Sequence, residues 1–245
     1  MPTIVPQHRV ERVRYELAKR NVTVSKVERD GDGFARITFA GAELAGFQSQ
    51  SFDDHIKFIF PDAQGDTTMR DYTPLSRDAA NGELVLEFAL HGHGAAASWA
   101  QHAEPGMAAI IAGPKGSMII PMAQDWHLLV GDASSLPAIR RRLAELPDSA
   151  RVDVLLFRSD AGPEWSLPQR AGLAIRQLTA AEDVLAALRN WQPPQGTGYA
   201  WCAGEGNLMR QLRSVLLEEK ALPREGVKVA AYWRLGEVDF HERLA

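Results

Sequence analysis

The sequence predicts an antiparallel Greek-key β-barrel over residues 1–122, followed by a parallel-sheet α/β domain over residues 123–245. Two observations carry this prediction. Up to about residue 121, short segments alternate apolar and polar residues between Gly, Pro and Asp turns, which is typical of a small antiparallel barrel. Beyond residue 125, apolar strands alternate with helical segments, which favours a parallel sheet. A chain of 245 residues is long enough for two domains with separate cores.

The first part begins with Val10, Val13 and Leu17 at helical spacing, which predicts a short amphipathic helix within residues 8–20. The period then changes to two, as expected of strands. The predicted strands cover residues 22–27, 34–39, 55–60, 69–73, 83–90, 107–112 and 118–121, with a helix at 96–103 after the fifth of them.

The second part alternates strands and helices. Strands are predicted at 126–130, 152–157, 173–178, 198–203 and 227–234, and helices at 136–145, 181–191 and 206–219. Ligands of such folds bind at the carboxyl ends of the strands. Two strands end in small and acidic residues, at 131–135 and 203–207, and neither segment contains the dinucleotide fingerprint G-x-G-x-x-G.

Composition excludes several classes of protein. The net charge of -4 provides no basic field for nucleic acid. A single cysteine, Cys202, excludes a disulfide framework and a multi-cysteine metal site. The first residues lack the apolar core of a signal peptide, and no apolar run approaches the roughly 20 residues that cross a bilayer. We therefore expect a cytoplasmic monomer with no membrane insertion and no metal site.

The segment Arg70-Asp71-Tyr72-Thr73 carries the first chemical signal. Alternate residues of a strand point to the same face, so Arg70 and Tyr72 can reach one ligand. A guanidinium binds phosphate bidentately, a tyrosine packs on a flat ring, and a hydroxyl bonds a ring nitrogen. A flavin nucleotide uses all three groups. The same pattern also occurs in ordinary half-buried strands.

Residues 91–100 form a glycine-rich and alanine-rich loop that leads into a helix. Backbone N–H groups at a helix start bind anions, and the hydroxyl of Ser98 adds a donor. The alternative is a plain loop-to-helix junction with Ser98 as the capping residue. His91 and His93 have no third ligand in the pattern, so we expect His91 to pack or hydrogen-bond near a ligand rather than to bind metal.

Near the chain end, Tyr232, Trp233 and Arg234 follow an apolar strand. Large aromatic side chains are costly to expose. Two interpretations stay open from the residues alone. The aromatic residues belong to the core with Arg234 solvated, or they cover a flat cofactor.

The order of these features resembles the ferredoxin–NADP reductase superfamily, and three motifs narrow the resemblance. Residues 91–100 resemble the pattern H-G-x-G-P-A-S-S-W-A, residues 131–139 resemble G-D-E-T-A-L-P-A-I, and residues 201–205 with 232–236 resemble W-x-A-G-E and Y-W-R-x-G. These patterns belong to the siderophore-interacting protein family, and the resemblance covers about residues 12–236. The chain departs from these patterns at Ala95, Ala97, Ala133 and Ser134, and Met107 stands where the family usually has Asp after Pro-Gly.

The resemblance implies FAD bound mainly by the barrel, with Arg70 on the pyrophosphate, Tyr72 against the isoalloxazine and Thr73 near its reactive nitrogen. The other residues implied to contact FAD are His91, Gly94, Ala97, Ser98, Trp99 and Trp233. The residues implied for NADH or NADPH are Asp132, Ser134, Ala203, Gly204 and Glu205. Basic residues that would hold an anionic ferric siderophore are Lys57, Arg140 and Arg234.

The implied activity is an NAD(P)H-dependent ferric-siderophore reductase. The flavin supplies the chemistry, so no catalytic protein residue is predicted. The alternatives are a flavin or ferredoxin-type reductase on the same scaffold and a non-catalytic flavin-binding or siderophore-binding protein. The choice of NADH or NADPH stays open, although Phe157-Arg158-Ser159 follows a strand and could hold a 2′-phosphate. The class of siderophore also stays open.

Overall fold

A computed structural model describes residues 9–29, 31, 33–90, 94–158 and 164–237. Its contacts group the chain into two compact units. The first unit holds Val10–Ile120 together with Arg140–Arg142, and the second holds Pro121–Ile139 and the chain from Leu143 onward. The domain boundary between residues 122 and 123 stays a prediction.

The first unit is built from antiparallel strands. They are β1 (Glu11–Arg14), β2 (Lys19–Arg29), β3 (Phe34–Ala40), β4 (Ile56–Pro61), β5 (Thr67–Tyr72), β6 (Pro74–Asp78), β7 (Glu83–Ala89), β8 (Ala108–Ala112) and β9 (Gly116–Ile119). Seven of these form one sheet in the order β5-β4-β8-β2-β3-β7-β6, and β1 pairs with β9. This confirms the antiparallel prediction, as a curled sheet in which β5 and β6 are the end strands.

Two local predictions in this unit were wrong. The lead-in helix is instead β1, in which Val13 and Arg14 pair with Ser117 and Gly116 of β9. Strand β6, directly after Thr73, was not predicted, because Pro74 reads as the end of a strand.

Aromatic side chains fill the core of the first unit. Phe58 lies at its centre, with ring centroids 4.9 Å from Phe60, 5.2 Å from Phe88 and 4.9 Å from Trp99. Trp99 also stacks on Phe39 at 6.2 Å. Trp99 belongs to helix α1 (Ala95–Gln101), so this packing fixes the helix against the sheet.

The second unit is a parallel sheet, as predicted. Its strands are β10 (Trp126–Gly131), β11 (Val152–Phe157), β12 (Leu173–Leu178), β13 (Gly198–Glu205) and β14 (Val227–Trp233), in the order β12-β11-β10-β13-β14. The helices are α2 (Leu136–Glu145), α3 (Ala181–Asn190) and α4 (Gly206–Ser214), and a π-helical turn, Val215–Glu219, follows α4. Central strand β10 is buried along its whole length. Within the described ranges, no helix combines the length and apolar character that a membrane crossing requires.

Candidate functional site

Strand β5 presents Arg70 and Tyr72 on one half-buried face, while Met69 and Asp71 alternate with them and are exposed. The ring of Tyr72 lies 4.4 Å from that of Phe88, centroid to centroid. Desolvation raises the pKa of the Tyr72 phenol, so the side chain is neutral and can donate a hydrogen bond at any physiological pH. The face therefore pairs a cation with a neutral aromatic ring, as the sequence predicts.

Thr73 and helix α1 complete the features predicted for FAD in this unit. Thr73 is buried at the end of β5. Gly94 is the N-cap of α1 and has no side chain that could cap the first-turn N–H groups. A methyl group added at Gly94 would meet no atom within 4 Å among the described residues, so the described part of the chain leaves the Cβ side of Gly94 open. Ser98 is exposed in the first turn.

Two other residues predicted for FAD have side chains that are buried in the first unit. Trp99 is only 7% exposed and its indole packs in the core, and the methyl of Ala97 is buried as well. Their burial does not support a cofactor contact through either side chain. His91 lies outside the described residues.

The donors of the first unit fit FAD. The Arg70 guanidinium, the uncapped first turn of α1 and the Ser98 hydroxyl are groups that bind phosphate oxygens. The Tyr72 ring provides a flat surface of the kind that packs on an aromatic heterocycle.

In the second unit, Asp132 directly follows β10 and accepts hydrogen bonds from residues at the carboxyl ends of β13 and β14. Its Oδ1 accepts hydrogen bonds from the Ser134 amide at 2.9 Å and the Ser134 hydroxyl at 2.5 Å. Its Oδ2 accepts from the Glu205 amide at 2.9 Å and from Nε1 of Trp233 at 2.8 Å. Burial raises the pKa of Asp132, and the bonds from Ser134, Trp233 and Glu205 oppose that shift.

The turn after β13 is built around Gly204 and Glu205. Gly204 has a φ of +153°, and an added Cβ would lie 2.4 Å from Asp132 Oδ2, so glycine is required there. Glu205 Oε2 accepts from the amides of Asn207 and Leu208 at 2.8 and 2.9 Å and thereby caps α4. Ala203 is fully buried and pairs with Gly131 of β10 and Ala230 of β14, so the structure shows no exposed part of this residue that a nucleotide could contact.

The structure thus brings four residues predicted for NAD(P)H together: Asp132, Ser134, Gly204 and Glu205. It adds Trp233, which the resemblance assigned to FAD. The sequence analysis missed Ser135, whose buried hydroxyl accepts from the Asp132 amide and donates to the Asp132 carbonyl, both at 2.9 Å. Its only signal in the sequence was its place as the second of two consecutive serines in the segment Gly131–Ser135.

The basic residues predicted for the substrate have carboxylate partners. Lys57 Nζ lies 2.8 Å from Asp71 Oδ2, and Arg234 Nη1 lies 2.9 Å from Glu237 Oε1, both at partly exposed positions. Arg140 is different, and its assignment to the substrate needs correction. It is 8% exposed and pairs with the fully buried carboxylate of Glu87.

The Arg140–Glu87 pair is structural, and Arg36 Nε also donates to Glu87 Oε1 at 2.9 Å. Removing one partner of a buried ion pair costs about 3–5 kcal/mol, because the other charge is left buried.

The hypothesis that Arg158 binds the 2′-phosphate of NADPH is not supported, because it needs an exposed cation. Arg158 is buried with its guanidinium 5.9 Å from the Trp165 ring, and Ser159 lies outside the described residues.

Another buried carboxylate, that of Asp54, was not singled out by any motif. It accepts from the Ser49 hydroxyl at 2.9 Å, the Ser51 amide at 3.1 Å and the Ser117 hydroxyl at 2.6 Å. Burial raises the pKa of Asp54, while the hydrogen bonds and the charge of Arg141 oppose the shift. This network joins the loop before β4 to β9 and stabilises the first unit.

An antiparallel unit with donors suited to FAD and a parallel-sheet unit with polar residues at its carboxyl edge together define a fold that ferredoxin reductases share, such as the ferredoxin reductase of carbazole 1,9a-dioxygenase, which is similar with a TM-score of 0.66 and 16% identity over 89% of this chain and 70% of that one. The family comparisons are more specific. A model described as siderophore-interacting protein matches residues 124–236, and one described as siderophore-interacting FAD-binding domain matches 23–68 and 64–118. The chain belongs to the siderophore-interacting protein family.

Individual relatives agree with this assignment. The chain is 35% identical to the NADPH-dependent ferric-chelate reductase of Escherichia coli K12, over 91% of this chain and 96% of that protein. It is 29% identical to the ferric vibriobactin reductase of Vibrio cholerae, over 84% and 87% of the two chains. The crystal structure of a siderophore utilization protein from T. fusca is similar with a TM-score of 0.86 and 31% identity, over 94% of this chain and 99% of that one.

Proposed function

We propose that the protein is a cytoplasmic NAD(P)H-dependent, FAD-containing reductase that releases iron from ferric siderophores by reducing Fe(III) to Fe(II). The observation that carries this proposal is the residue set at the carboxyl edge of the second unit, Asp132 to Ser134 with Gly204 and Glu205. It accompanies a phosphate-binding and ring-binding face in the first unit. A protein that only bound a siderophore would need no second, nucleotide-binding edge. The proposed state is a monomer.

FAD would be held in the first unit. Arg70 and the uncapped start of α1 would bind its diphosphate, with Ser98 as a further donor, and Tyr72 would pack on the flavin ring. Thr73 and the backbone of residues 94–99 complete the proposed contacts in this unit, and the FAD contact of Trp233, which belongs to the second unit, is kept as a separate prediction. When bound, FAD links a two-electron hydride donor to two one-electron transfers. The residues of the chain contribute binding, orientation and charge.

NADPH or NADH would bind at the carboxyl ends of β10 and β13. Ser134 is exposed there and keeps a hydroxyl where the family pattern has threonine. Ala203, Gly204 and Glu205 are the last three residues of β13, which pairs with β10, and the Glu205 amide donates to Asp132 at the same edge. Because the E. coli relative is named as NADPH-dependent, NADPH is the first donor to test.

Lys57 of the first unit and Arg234 of the second are the two cations proposed to attract a ferric siderophore that carries negative charge. Each cation pairs with a partly exposed carboxylate, Asp71 and Glu237 respectively. Exposed ion pairs contribute only about 0–1 kcal/mol, so an anionic substrate can replace the partner at little cost. Arg140 is left out because its charge is neutralised in the interior.

Anaerobic spectroscopy tests the function and separates the alternatives. The purified protein, supplied with FAD, should show flavin bands that bleach with NADPH or NADH and return on addition of a ferric siderophore. Recovery with ferredoxin but not with ferric siderophores would instead identify a ferredoxin-type reductase. Bound flavin that neither nucleotide bleaches would identify a non-catalytic binding protein.

A further inference from the structure

We propose that Asp132 is a positioning residue that fixes the indole of Trp233 at the carboxyl edge of the second unit, rather than a direct ligand of the nicotinamide nucleotide. The expected effect on nucleotide binding rests on the proposed function, whereas the hydrogen bond between Trp233 and Asp132 does not.

The first argument is the saturation of the carboxylate. Asp132 is 5% exposed, and its two oxygens accept four hydrogen bonds from the chain itself, two on each oxygen. A nucleotide hydroxyl or amide that bonded this carboxylate would have to displace one of these donors. Residues that bind ligands usually keep an exposed polar atom, and this carboxylate has little exposed surface.

The second argument is what the carboxylate joins. Oδ1 holds the turn after β10 through Ser134, whereas Oδ2 joins the Glu205 amide after β13 to the side chain at the end of β14. Trp233 is 37% exposed and is the last residue of its strand. The bond from Nε1 to Asp132 at 2.8 Å therefore restricts the rotation of a partly exposed indole.

Position explains the expected effect on the reaction. The indole lies beside the Gly204–Glu205 turn, where the nucleotide is proposed to bind, because Trp233 pairs with Glu205. An indole with a fixed orientation limits how the nicotinamide enters this edge, and an indole that rotates would obstruct it part of the time. Asp132 thus acts on nucleotide binding through Trp233.

Asparagine at position 132 is the sharpest perturbation, because it keeps the shape and removes acceptor capacity on one side. A carboxamide has one acceptor oxygen and one N–H₂ group, whereas both oxygens of Asp132 serve as acceptors. If the Asn oxygen faces the Ser134 donors, its N–H₂ faces the Glu205 and Trp233 donors, and the indole is released. In the opposite orientation the indole donates to a neutral amide oxygen instead of a carboxylate, which is a weaker hydrogen bond. Asp132→Asn should therefore free Trp233 or weaken its hydrogen bond, without removing volume.

The contact is tested directly by the indole N–H resonances of the ¹⁵N-labelled protein, with the Trp233 signal assigned from Trp233→Phe. In Asp132→Asn this signal should shift and exchange faster with water. The matched control is Trp191→Phe, which removes another indole–carboxylate bond, from Trp191 Nε1 to Asp153 Oδ2 at 3.0 Å, at the amino end of β11. It should leave the Trp233 signal in place. An unshifted Trp233 signal in Asp132→Asn overturns the proposal.

The kinetic test distinguishes positioning from direct binding. Asp132→Asn and Trp233→Phe should each raise KM for NADPH about tenfold with kcat less affected, and the double variant should be no worse than either single one. Multiplying effects in the double variant would mean that Asp132 contacts the nucleotide itself, which overturns the proposal. Trp191→Phe should keep the wild-type KM.

Two further outcomes are decisive. If Asp132→Asn does not fold, Trp233→Phe decides alone, since it keeps Asp132 with its other three donors, and a wild-type KM then overturns the proposal. If the wild-type protein oxidises neither nucleotide, the proposed function fails, whereas the indole resonance still decides whether Asp132 holds Trp233.

Discussion

Replacing Gly131 by alanine tests whether the turn after β10 is as tightly built as the structure shows. An added Cβ would lie 1.9 Å from the Ser135 hydroxyl oxygen and 3.0 Å from the Ala203 carbonyl oxygen. The first distance is shorter than any contact that a methyl group makes, and the second is tighter than most. The Ser135 side chain or the β10 backbone must therefore move, and Ser135 is completely buried.

The expected magnitude follows from two effects. Overpacking a well-filled interior costs about 1–3 kcal/mol. Displacing the Ser135 hydroxyl also leaves the buried amide of Asp132 without its acceptor, which costs about 1–3 kcal/mol. The two effects share one movement and do not add fully, so we expect Gly131→Ala to lower the free energy of unfolding by about 2–5 kcal/mol.

Urea unfolding, followed by tryptophan fluorescence and circular dichroism, measures this loss. The matched control is Gly46→Ala, because a methyl group there meets no atom within 4 Å and its φ is not positive. The control should change stability by less than about 0.5 kcal/mol. Adding Ser135→Ala to Gly131→Ala removes the closest clash and should restore part of the loss. A Gly131→Ala protein as stable as the control would refute the packing described for this turn.

Three further predictions concern the first unit. Phe88→Leu removes the ring 4.4 Å from Tyr72 and should cost about 1–2 kcal/mol of stability and weaken FAD binding in a fluorescence titration; unchanged FAD affinity would separate this packing from the cofactor site. Burial raises the pKa of Asp54, so the native state binds its proton more tightly than the unfolded chain, and this group's contribution to stability falls as pH rises above about 3.9. The free energy of unfolding of the wild type minus that of Asp54→Asn should therefore decrease as pH rises. Urea titrations across pH 4–7 in which this quantity increases would contradict the prediction. Lys57→Ala should raise KM for a ferric siderophore while FAD content is kept, whereas Asp71→Asn should lower it by up to about fivefold; equal KM values in both would remove Lys57 from the substrate site.

Most elements of the second unit were predictable, because the strands of a parallel sheet are continuous apolar runs between helical segments. The predicted strands 152–157 and 173–178 and the predicted helix 136–145 have the observed bounds. The buried sequence Val152–Phe157 shows why, since a short apolar run rich in β-branched and aliphatic residues fits a strand covered on both faces.

The start of the chain was harder to predict because strand pairing is not a local property. Val10, Val13 and Leu17 have helical spacing, yet β1 is held by β9, about a hundred residues later. An added Cβ at Gly116 would lie 2.3 Å from the Val13 carbonyl oxygen, so glycine allows the two strands to approach. Nothing in the local pattern around Val13 reveals this partner.

The candidate site was likewise predictable from the sequence only in part. Motifs identified Asp132 and Glu205, but motifs do not show whether a carboxylate faces a ligand or its own chain. In the structure, Asp132 binds four donors of the chain and Glu205 caps α4. Arg140 was taken as a substrate residue because its partner, Glu87, lies more than fifty positions earlier and only the folded chain brings them together.

The most direct test of the account is the stoichiometry of iron reduction. Purified, FAD-loaded protein is mixed anaerobically with NADPH and excess ferric siderophore, and Fe(II) is trapped by a colorimetric chelator. Because each nucleotide donates two electrons and each iron accepts one, the account predicts two Fe(II) for each NADPH oxidised, with NADH tested in parallel. Oxidation of either nucleotide without formation of Fe(II), or no oxidation of either, would contradict it.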